Sequence, residues 1–281
     1  MKLRCRDKFV PLDRVAVMGV LNVTPDSFSD GGRFFEQNAA VERALEMVEQ
    51  GAAIVDVGGE STRPGAEPVS EADEMSRVLP VIERLAATSS VPISIDTRKA
   101  SVATAALGAG AAIVNDTWGE EVDPGLVKAA VDAEAAFVTM HSRGTPATMR
   151  DLTTYSDVVS DVCAWLADRA ASLVDSGLAR DQIVLDPGFG FAKTPEQNLE
   201  LLDRFEEVVA LGYPVLAGTS RKSFIGLTLG LPESERVEGT AATVALAVYK
   251  GARLVRVHDV KEMERVVRMT EAVCSGQIGS R

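Results

Sequence analysis

The sequence predicts a closed parallel barrel of eight strand–helix units, the (β/α)8 class of α/β fold. Roughly eight short apolar runs alternate with helical patterns along 281 residues, a length somewhat above the ~250 residues typical of such barrels. The first run, residues 15–21, has no polar face, which is typical of a strand that is buried on both sides. We therefore expect one domain over residues 1–281, with an open, doubly wound parallel sheet as the alternative.

The first half of the chain supplies four of these units. After the run at residues 15–21, Ala40, Ala44, Met47 and Val48 share one side of a predicted helix at residues 39–51, which Gly51 ends. Three further pairs follow in the same order: strand 54–57 with helix 71–85, strand 92–95 with helix 101–108, and strand 111–114 with helix 124–133.

The second half repeats the plan four more times. Its pairs are strand 136–140 with helix 155–176, strand 183–185 with helix 196–211, strand 214–217 with helix 236–249, and strand 253–257 with helix 260–273. SRKS at residues 220–223 is a further candidate for a helix start, with Ser220 as its N-cap. Glycines in GAAIVD, GAGAAIVND and GARLVRV fit the short helix-to-strand turns that both candidate folds require.

The composition restricts the partners and the compartment. The net charge of −12 argues against nucleic acid or an anionic membrane as a partner, because both need a basic face; it does not exclude an anionic substrate. The three cysteines are far apart, so a disulfide scaffold is not predicted. The N-terminus is not followed by the apolar core of a signal peptide, and no run reaches the length of a membrane span. We expect a cytoplasmic protein.

Polar side chains follow the predicted strands where each strand ends. Because active sites of (β/α)8 barrels lie at the carboxyl ends of the strands, we expect these residues to converge: Asn22, Arg63, Asp96, Asn115, Asp186, Lys222, Arg256 and His258. Any single Asp or Asn among them can instead be a helix N-cap. Amides and carboxylates together suit a flat, amide-like heterocycle that is read along its edge, whereas arginine and histidine suit a phosphate group.

Neighbouring residues have competing explanations. His141 is interpreted as a structural hydrogen-bonding residue, whereas His258 lies two residues from Arg256 and so points the same way on its strand. Neither histidine has a partner at the spacing of a zinc site. Phe189 and Phe191 can be core residues or neighbours of a planar ligand. The glycine pattern of a dinucleotide-binding loop does not follow the first strand.

Eight stretches, in a fixed order over nearly the whole chain, carry a family resemblance: MGVLNVTPDSFSDGG at 18–32, DVGGESTRPGA at 56–66, SIDTRK at 94–99, ND at 115–116, MHSRGTPATM at 140–149, DPGFGFAKT at 186–194, GTSRKSFIG at 218–226 and RVHDV at 256–260. They resemble the bacterial dihydropteroate synthases, pterin-binding folate-pathway enzymes that sulfonamides target. The resemblance implies a (β/α)8 barrel, usually a homodimer, that condenses p-aminobenzoate with 6-hydroxymethyl-7,8-dihydropterin pyrophosphate. The products are 7,8-dihydropteroate and pyrophosphate, and Mg²⁺ assists the reaction.

The resemblance also assigns site residues. The pterin-binding residues are Asp96, Asn115, Asp186, Lys222, Met140 and Phe191. The pyrophosphate-binding residues are Asn22, Arg63, Arg256 and His258, of which Asn22 is also associated with the metal. The residues bordering p-aminobenzoate are Thr62, Pro64, Phe189, Lys222 and Ser223. Asp96, Lys222 and Arg63 are the expected catalytic residues. In the implied dissociative mechanism pyrophosphate leaves first, and the arylamine then attacks the cation left on the pterin methylene, while the loops after the first two strands close over the site.

Residues 117–119 depart from the family pattern. Thr117, Trp118 and Gly119 stand where a Val-Ser-Gly run is common, and Ala192 takes a place often held by glycine. Trp118 resembles a feature of non-catalytic paralogues, so a pterin-binding paralogue without activity is one alternative. A pterin-binding methyltransferase module is another, although it would not need Arg63 or the pair Arg256 and His258. The intact motifs elsewhere favour an active synthase.

Overall fold

The computed structural model describes residues 1–24, 32–61, 68–119 and 123–277. The strands are β1 (Lys2–Cys5), β2 (Lys8–Pro11), β3 (Ala16–Asn22), β4 (Ile54–Gly58), β5 (Ile93–Asp96), β6 (Ile113–Asp116), β7 (Ala136–Met140), β8 (Ile183–Asp186), β9 (Leu216–Ala217) and β10 (Leu254–Val257). The α-helices are α1 (Gly32–Glu49), α2 (Glu71–Thr88), α3 (Ala100–Gly108), α4 (Pro124–Asp132), α5 (Val158–Asp175), α6 (Pro195–Asp203), α7 (Phe205–Val209), α8 (Ser223–Leu229), α9 (Val237–Tyr249) and α10 (Val260–Ser275).

Eight of these strands form one parallel sheet, as the sequence predicts. Their order around the sheet is β8-β7-β6-β5-β4-β3-β10-β9, with every neighbouring pair parallel. A single parallel bridge between Leu185 and Val215 joins the two outermost strands, so the barrel is nearly closed. The prediction of a (β/α)8 barrel is confirmed, and the alternative of an open sheet is wrong.

Alternate residues along the strands separate two cores, because successive side chains of a strand point to opposite faces. One small core fills the barrel interior with residues such as Met18, Ile54, Ile113, Val138, Val184 and Leu254. A larger core lies between the barrel and its helices, where it receives residues such as Val17, Val55, Val114, Phe137 and Val255. This alternation explains why the strands read as unbroken apolar runs in the sequence.

An N-terminal hairpin of β1 and β2 was not predicted. The two strands pair antiparallel from Lys2–Pro11 to Cys5–Lys8. Leu3, Cys5, Val10 and Leu12 are almost fully buried and belong to the same core as the barrel interior. The hairpin therefore closes one end of the barrel, and the polar strand ends lie at the other. Within the described ranges, no helix is both long and apolar enough to cross a membrane.

Three helix predictions needed correction. Helix α1 begins at Gly32 rather than at residue 39. The predicted helix at 196–211 is two helices, because Arg204 takes φ −105° and ψ 25° and interrupts the helix. Lys222 rather than Ser220 is the N-cap residue of α8, and its side chain makes no capping hydrogen bond.

Candidate functional site

Four strands, β4, β5, β6 and β10, bring polar side chains together inside the mouth of the barrel. Arg256, on β10, donates from Nε to Asp56 Oδ2 at 2.6 Å and from Nη2 to Asp96 Oδ2 at 2.7 Å. Asn115, on β6, donates from Nδ2 to the same Asp56 oxygen at 3.1 Å. Three residues that the sequence predicts, Asp96, Asn115 and Arg256, are thus within one hydrogen-bonded network.

Asp56 is a site residue that sequence reasoning missed. It lies in the middle of the apolar run IVDVG, is 0% exposed, and points its carboxylate to Arg256 and Asn115. Because buried carboxylates require partners, a lone aspartate inside an apolar strand was the available signal. Its bond from Asn115 Nδ2 also orients the amide, so that Asn115 Oδ1 is the atom left to accept a hydrogen bond from a ligand.

The charges in this network are unequal, because two carboxylates share one guanidinium group. Burial raises the pKa of Asp96, and the neighbouring Asp56 adds to the rise, while Arg256 and the Thr117 hydroxyl act against it. For Arg256, burial lowers the pKa, but Asp56 and Asp96 outweigh burial and keep the guanidinium charged. The result is a strongly polarised, largely buried site with its positive charge held between two carboxylates.

A second group of predicted residues lies across the mouth, at the ends of β8 and β9. Asp186 is 5% exposed, and its Oδ1 accepts a hydrogen bond from Gly188 N at 2.7 Å. Burial raises its pKa, against the effects of that bond and of Lys222. Lys222 Nζ lies 4.1 Å from the centre of the Phe191 ring, and burial lowers the lysine pKa to about 8.

Phe191 and Met140 form part of a small apolar cluster beside these polar groups. The cluster also contains Met149 and Ala192, and Phe191 and Met149 line a cavity with Trp118. Gly190 has φ +81°, and a Cβ there would lie 3.0 Å from Lys222 Cδ, so the glycine admits the lysine stem. An apolar platform next to buried carboxylate, amide and ammonium groups can bind a planar heterocycle by its face and its edge.

Lys193 is another residue that was not predicted. Its ammonium group donates to the carbonyl oxygens of Gly188 and Phe191 at 3.0 and 3.1 Å and lies 3.1 Å from His141 Nδ1. Burial lowers the pKa of Lys193 to about 7. Burial, with Lys193 and Arg143 nearby, lowers the pKa of His141 to about 2. Neutral His141 accepts from the lysine, and the pair fixes the backbone that carries Phe191.

His258 lies at the end of β10 and pairs with Ser220. Its backbone N–H donates to Ser220 Oγ at 3.2 Å, and its Nδ1 lies 3.0 Å from the same oxygen. We assign the serine hydroxyl as the donor to Nδ1, which places the ring proton on Nε2, where it can donate to a ligand. Burial and the nearby Arg256 lower the pKa of His258 to about 3, so the ring offers a neutral N–H rather than a positive charge.

The remaining predicted residues differ in their placement. Asn22 is exposed at the end of β3, and Ser223 is exposed at the first position of α8. Phe189 is 1% exposed and stacks on Phe205 and Phe224, so its ring belongs to the core. Thr62, Arg63 and Pro64 lie outside the described residues, as does much of the loop after β3.

The donor set around Asn22 suits a small hard cation. A Cβ added to Gly58 would lie 3.8 Å from both Asn22 Oδ1 and Asp96 Oδ2, so both oxygens lie beside this glycine. Mg²⁺ prefers oxygen ligands and is commonly held by one or two protein groups together with substrate phosphates. In the part of the chain that the structure describes, no group of three His, Cys, Asp or Glu residues could hold a metal by itself.

Comparison with known proteins agrees with this geometry. Residues 18–258 match the family described as pterin binding enzyme. The dihydropteroate synthase of Bacillus subtilis (strain 168) is 49% identical over 261 residues, which cover 93% of this chain and 89% of the relative. The Yersinia pestis dihydropteroate synthase solved with a sulfonamide drug complex has a TM-score of 0.92 and 41% identity, covering 98% of this chain and 100% of its own. The Xanthomonas albilineans enzyme solved with 4-aminobenzoic acid has a TM-score of 0.90 and 42% identity, covering 97% of both chains.

Proposed function

Because the chain belongs to the pterin binding enzyme family, we propose that it condenses 6-hydroxymethyl-7,8-dihydropterin pyrophosphate with p-aminobenzoate in folate synthesis. The activity is that of a dihydropteroate synthase, a transferase that forms a C–N bond and releases pyrophosphate. The observation that carries this proposal is the two-sided mouth of the barrel. Asp96, Asn115 and Asp186 offer buried polar groups that can hydrogen-bond to the edge of a heterocycle. Arg256 and His258 offer hydrogen-bond donors for an anion.

The pterin would lie against Phe191 and Met140, with its edge toward Asn115 and Asp186. Asn115 supplies an acceptor, because its Nδ2 is already bonded to Asp56. Asp186 keeps a second carboxylate oxygen, Oδ2, besides the one bonded to Gly188 N. Lys222 supplies a donor above the Phe191 ring. A pterin ring presents amide-like donors and acceptors that match this set.

Loss of pyrophosphate requires stabilisation of the departing negative charge and of the cation that remains. Arg256 and His258 Nε2–H would bind the departing anion, together with Arg63. Asp96 would lie near the developing positive charge, where a fixed carboxylate lowers the barrier because it needs no reorganisation. Arg256 is bonded to Asp96 in this structure, and its charge opposes the rise in the pKa of Asp96, so it helps to keep Asp96 in the carboxylate form that this step needs.

We propose Mg²⁺ as the metal, with Asn22 as its protein ligand and pyrophosphate oxygens among the others. When bound, it would neutralise charge on the leaving group. This assignment is supported by the amide oxygen of the exposed Asn22 and the carboxylate oxygen of Asp96, which both lie beside Gly58 at the rim.

An assay of pyrophosphate release tests the proposal. Pyrophosphate release should require both substrates, so omitting either one should abolish it. A sulfonamide should inhibit it. Release that does not depend on p-aminobenzoate would contradict the synthase. Pterin binding without any release would instead support the non-catalytic paralogue, and methyl transfer to a corrinoid partner would support the methyltransferase module.

We further propose a homodimer in the cytoplasm. Several large apolar side chains on α8, α9 and α10 are exposed: Leu227, Leu229, Leu246, Tyr249, Met269 and Val273. Apolar surface of this kind is typical of a protein–protein contact. The three cysteines are free, in keeping with a reducing compartment. Light scattering at micromolar concentration should give twice the 29.8 kDa chain mass, and Met269→Glu should shift it toward the monomer.

A further inference from the structure

Asp96 has a second hydrogen-bond donor, to which the proposed function gives no role. Its Oδ2 accepts from Arg256 Nη2 at 2.7 Å, and its Oδ1 accepts from the hydroxyl group of Thr117 at 3.0 Å. The two donors come from different parts of the barrel, because Arg256 lies on β10 and Thr117 directly follows β6. The last side-chain torsion of an aspartate has a broad energy minimum, so one donor on each oxygen is what fixes the plane of the carboxylate.

The two donors differ in what else they bind. Arg256 also donates from Nε to Asp56 Oδ2 at 2.6 Å, and it is proposed to bind the departing anion. Thr117 is uncharged and 7% exposed, and its hydroxyl group has a single proton, which it donates to Asp96. Thr117 can therefore hold one oxygen of Asp96 in place while Arg256 contacts the anion.

The chain around Thr117 directs its hydroxyl group into the site. Asp116 is 0% exposed, and its Oδ1 accepts from the backbone N–H of Trp118 at 3.1 Å, which closes a turn around Thr117. Gly119 follows with φ +68°, and a Cβ there would lie 2.6 Å from the backbone nitrogen of Ser142. Because a side chain at this position would be strained and would collide with that backbone, the glycine allows the turn to pack closely against the chain after β7.

The chain that follows β5 is joined to the same turn. The backbone N–H of Thr97 donates to the carbonyl oxygen of Asn115 at 3.3 Å. The guanidinium of Arg98 lies 4.0 Å from the centre of the Trp118 ring, where the face of the indole attracts a cation. The segments after β5 and β6 thus meet at three points, and the hydroxyl bond to Asp96 is the one that reaches the site.

We propose that Thr117 is a positioning residue that orients the carboxylate of Asp96 toward the pterin. The inference rests on the proposed function, because Asp96 is assigned there to the pterin and to the developing positive charge. Thr117 acts through Asp96 rather than on the reacting atoms. Asp96 is not among the residues assigned to p-aminobenzoate, so the effect of Thr117 belongs to pterin binding and to the chemical step.

Three variants and a control test this role. Thr117→Val keeps the shape of the side chain and removes its hydroxyl group, Thr117→Ala removes the same group by truncation, and Thr117→Ser keeps it. Thr139→Val is the matched control, because Thr139 on β7 is 0% exposed and its hydroxyl group has no hydrogen-bond partner among the described residues. The control therefore makes the same substitution in a buried place without the loss of a bond.

Binding of 6-hydroxymethylpterin, by titration calorimetry, and steady-state kinetics are measured on the same preparations. A carboxylate that must be ordered on binding predicts pterin affinity weakened about threefold to tenfold in Thr117→Val and Thr117→Ala. Misplacement of this carboxylate predicts a kcat lowered about tenfold in the same two variants. Thr117→Ser and Thr139→Val should remain within about twofold of the parent protein in both quantities. The KM for p-aminobenzoate should change by less than about twofold in all four variants.

Unchanged pterin affinity in Thr117→Val and Thr117→Ala would overturn the proposal, and so would a loss that Thr117→Ser shares. A KM for p-aminobenzoate that rises in step with the loss of pterin affinity would also overturn it. If the parent protein binds the pterin but releases no pyrophosphate, the proposed function fails, while the binding measurements still decide the role of Thr117. A parent protein that binds no pterin would overturn both.

Discussion

Asp56 connects the two halves of the site through hydrogen bonds to one residue of each half, Arg256 and Asn115. One of its oxygens, Oδ2, accepts hydrogen bonds from Arg256 and from Asn115. A single atom therefore positions both the guanidinium proposed to bind the anion and the amide proposed to bind the pterin. Such a shared acceptor limits the freedom of both donors before any ligand arrives, which reduces the entropy that binding must overcome.

Replacement of Asp56 by Asn should therefore weaken both functions. The neutral amide is a poorer acceptor for the guanidinium, and its NH₂ group opposes Asn115 Nδ2. We expect the free energy of unfolding to fall by about 1.5–3 kcal/mol and kcat/KM to fall by more than about tenfold, measured by urea denaturation and by pyrophosphate release. Asp181→Asn, which removes a half-exposed partner of Arg4 at 3.4 Å, should cost less than about 1 kcal/mol. Equal effects of the two substitutions would contradict the role of Asp56.

His141 gives a prediction for pH. Its pKa is lowered to about 2 in the folded protein, against about 6.5 in an unfolded chain. Below pH 6.5 the unfolded chain binds a proton that the folded protein does not, so this residue makes stability fall as the pH falls, by up to about 1.4 kcal/mol per pH unit. The effect disappears above pH 6.5.

His141→Asn keeps an acceptor for Lys193 and removes the titration. Between pH 6.5 and 4.5 the variant should lose about 2–3 kcal/mol less stability than the parent protein, as measured by urea denaturation at several pH values. Asp96 and Asp116 have raised pKa values and act in the opposite direction, but both proteins contain them, so the difference isolates His141. Parallel pH profiles would show that His141 is protonated in the folded protein.

At the scale of secondary structure, the strand ends and most helices could be predicted from the sequence, because apolar runs and glycine turns are local signals. The hairpin of β1 and β2 was not predicted, although MKLRCRDKF alternates charged and apolar residues, because each strand is only four residues long and packs against the barrel interior, which is distant in the sequence. The break at Arg204 was hidden for a similar reason: nothing in the local pattern indicates a change of direction there. Asp96, Asn115, Asp186 and Arg256 were predicted from their positions, whereas Asp56 and Lys193 depend on partners far away in the sequence.

The hairpin should act as a stability element with no part in catalysis. Leu3 is 0% exposed and packs against the barrel interior, at the end away from the polar strand ends. Leu3→Ala should lower the free energy of unfolding by about 2–5 kcal/mol and leave both KM values unchanged. Phe9 on the same hairpin is 48% exposed, and Phe9→Ala should have a much smaller effect. A changed KM in Leu3→Ala would show that the hairpin influences the site.

At the scale of the whole molecule, the seam between β8 and β9 has the fewest ladder contacts among the barrel strands that the structure describes. β3 and β4 pair over five residues, from Met18–Ile54 to Asn22–Gly58, whereas β8 and β9 are joined by the bridge between Leu185 and Val215 and the bond from Leu185 N to Pro214 O at 2.9 Å. Local opening follows the least supported contacts. The seam is also where the site is divided, with Asp186 at the end of β8 and Lys222 beyond β9.

A pterin that binds Asp186 and Lys222 together would join the two sides of this seam. Hydrogen exchange should show less protection at the Leu185 amide than at the amides of β4 in the free protein. Saturation with a pterin should then slow exchange at Leu185 more than at β4, since a ligand that binds only the closed form stabilises it by mass action. p-Aminobenzoate alone is the control, because it is not expected to contact Asp186. Equal slowing at both strands would mean that the ligand stabilises the barrel globally rather than at the seam.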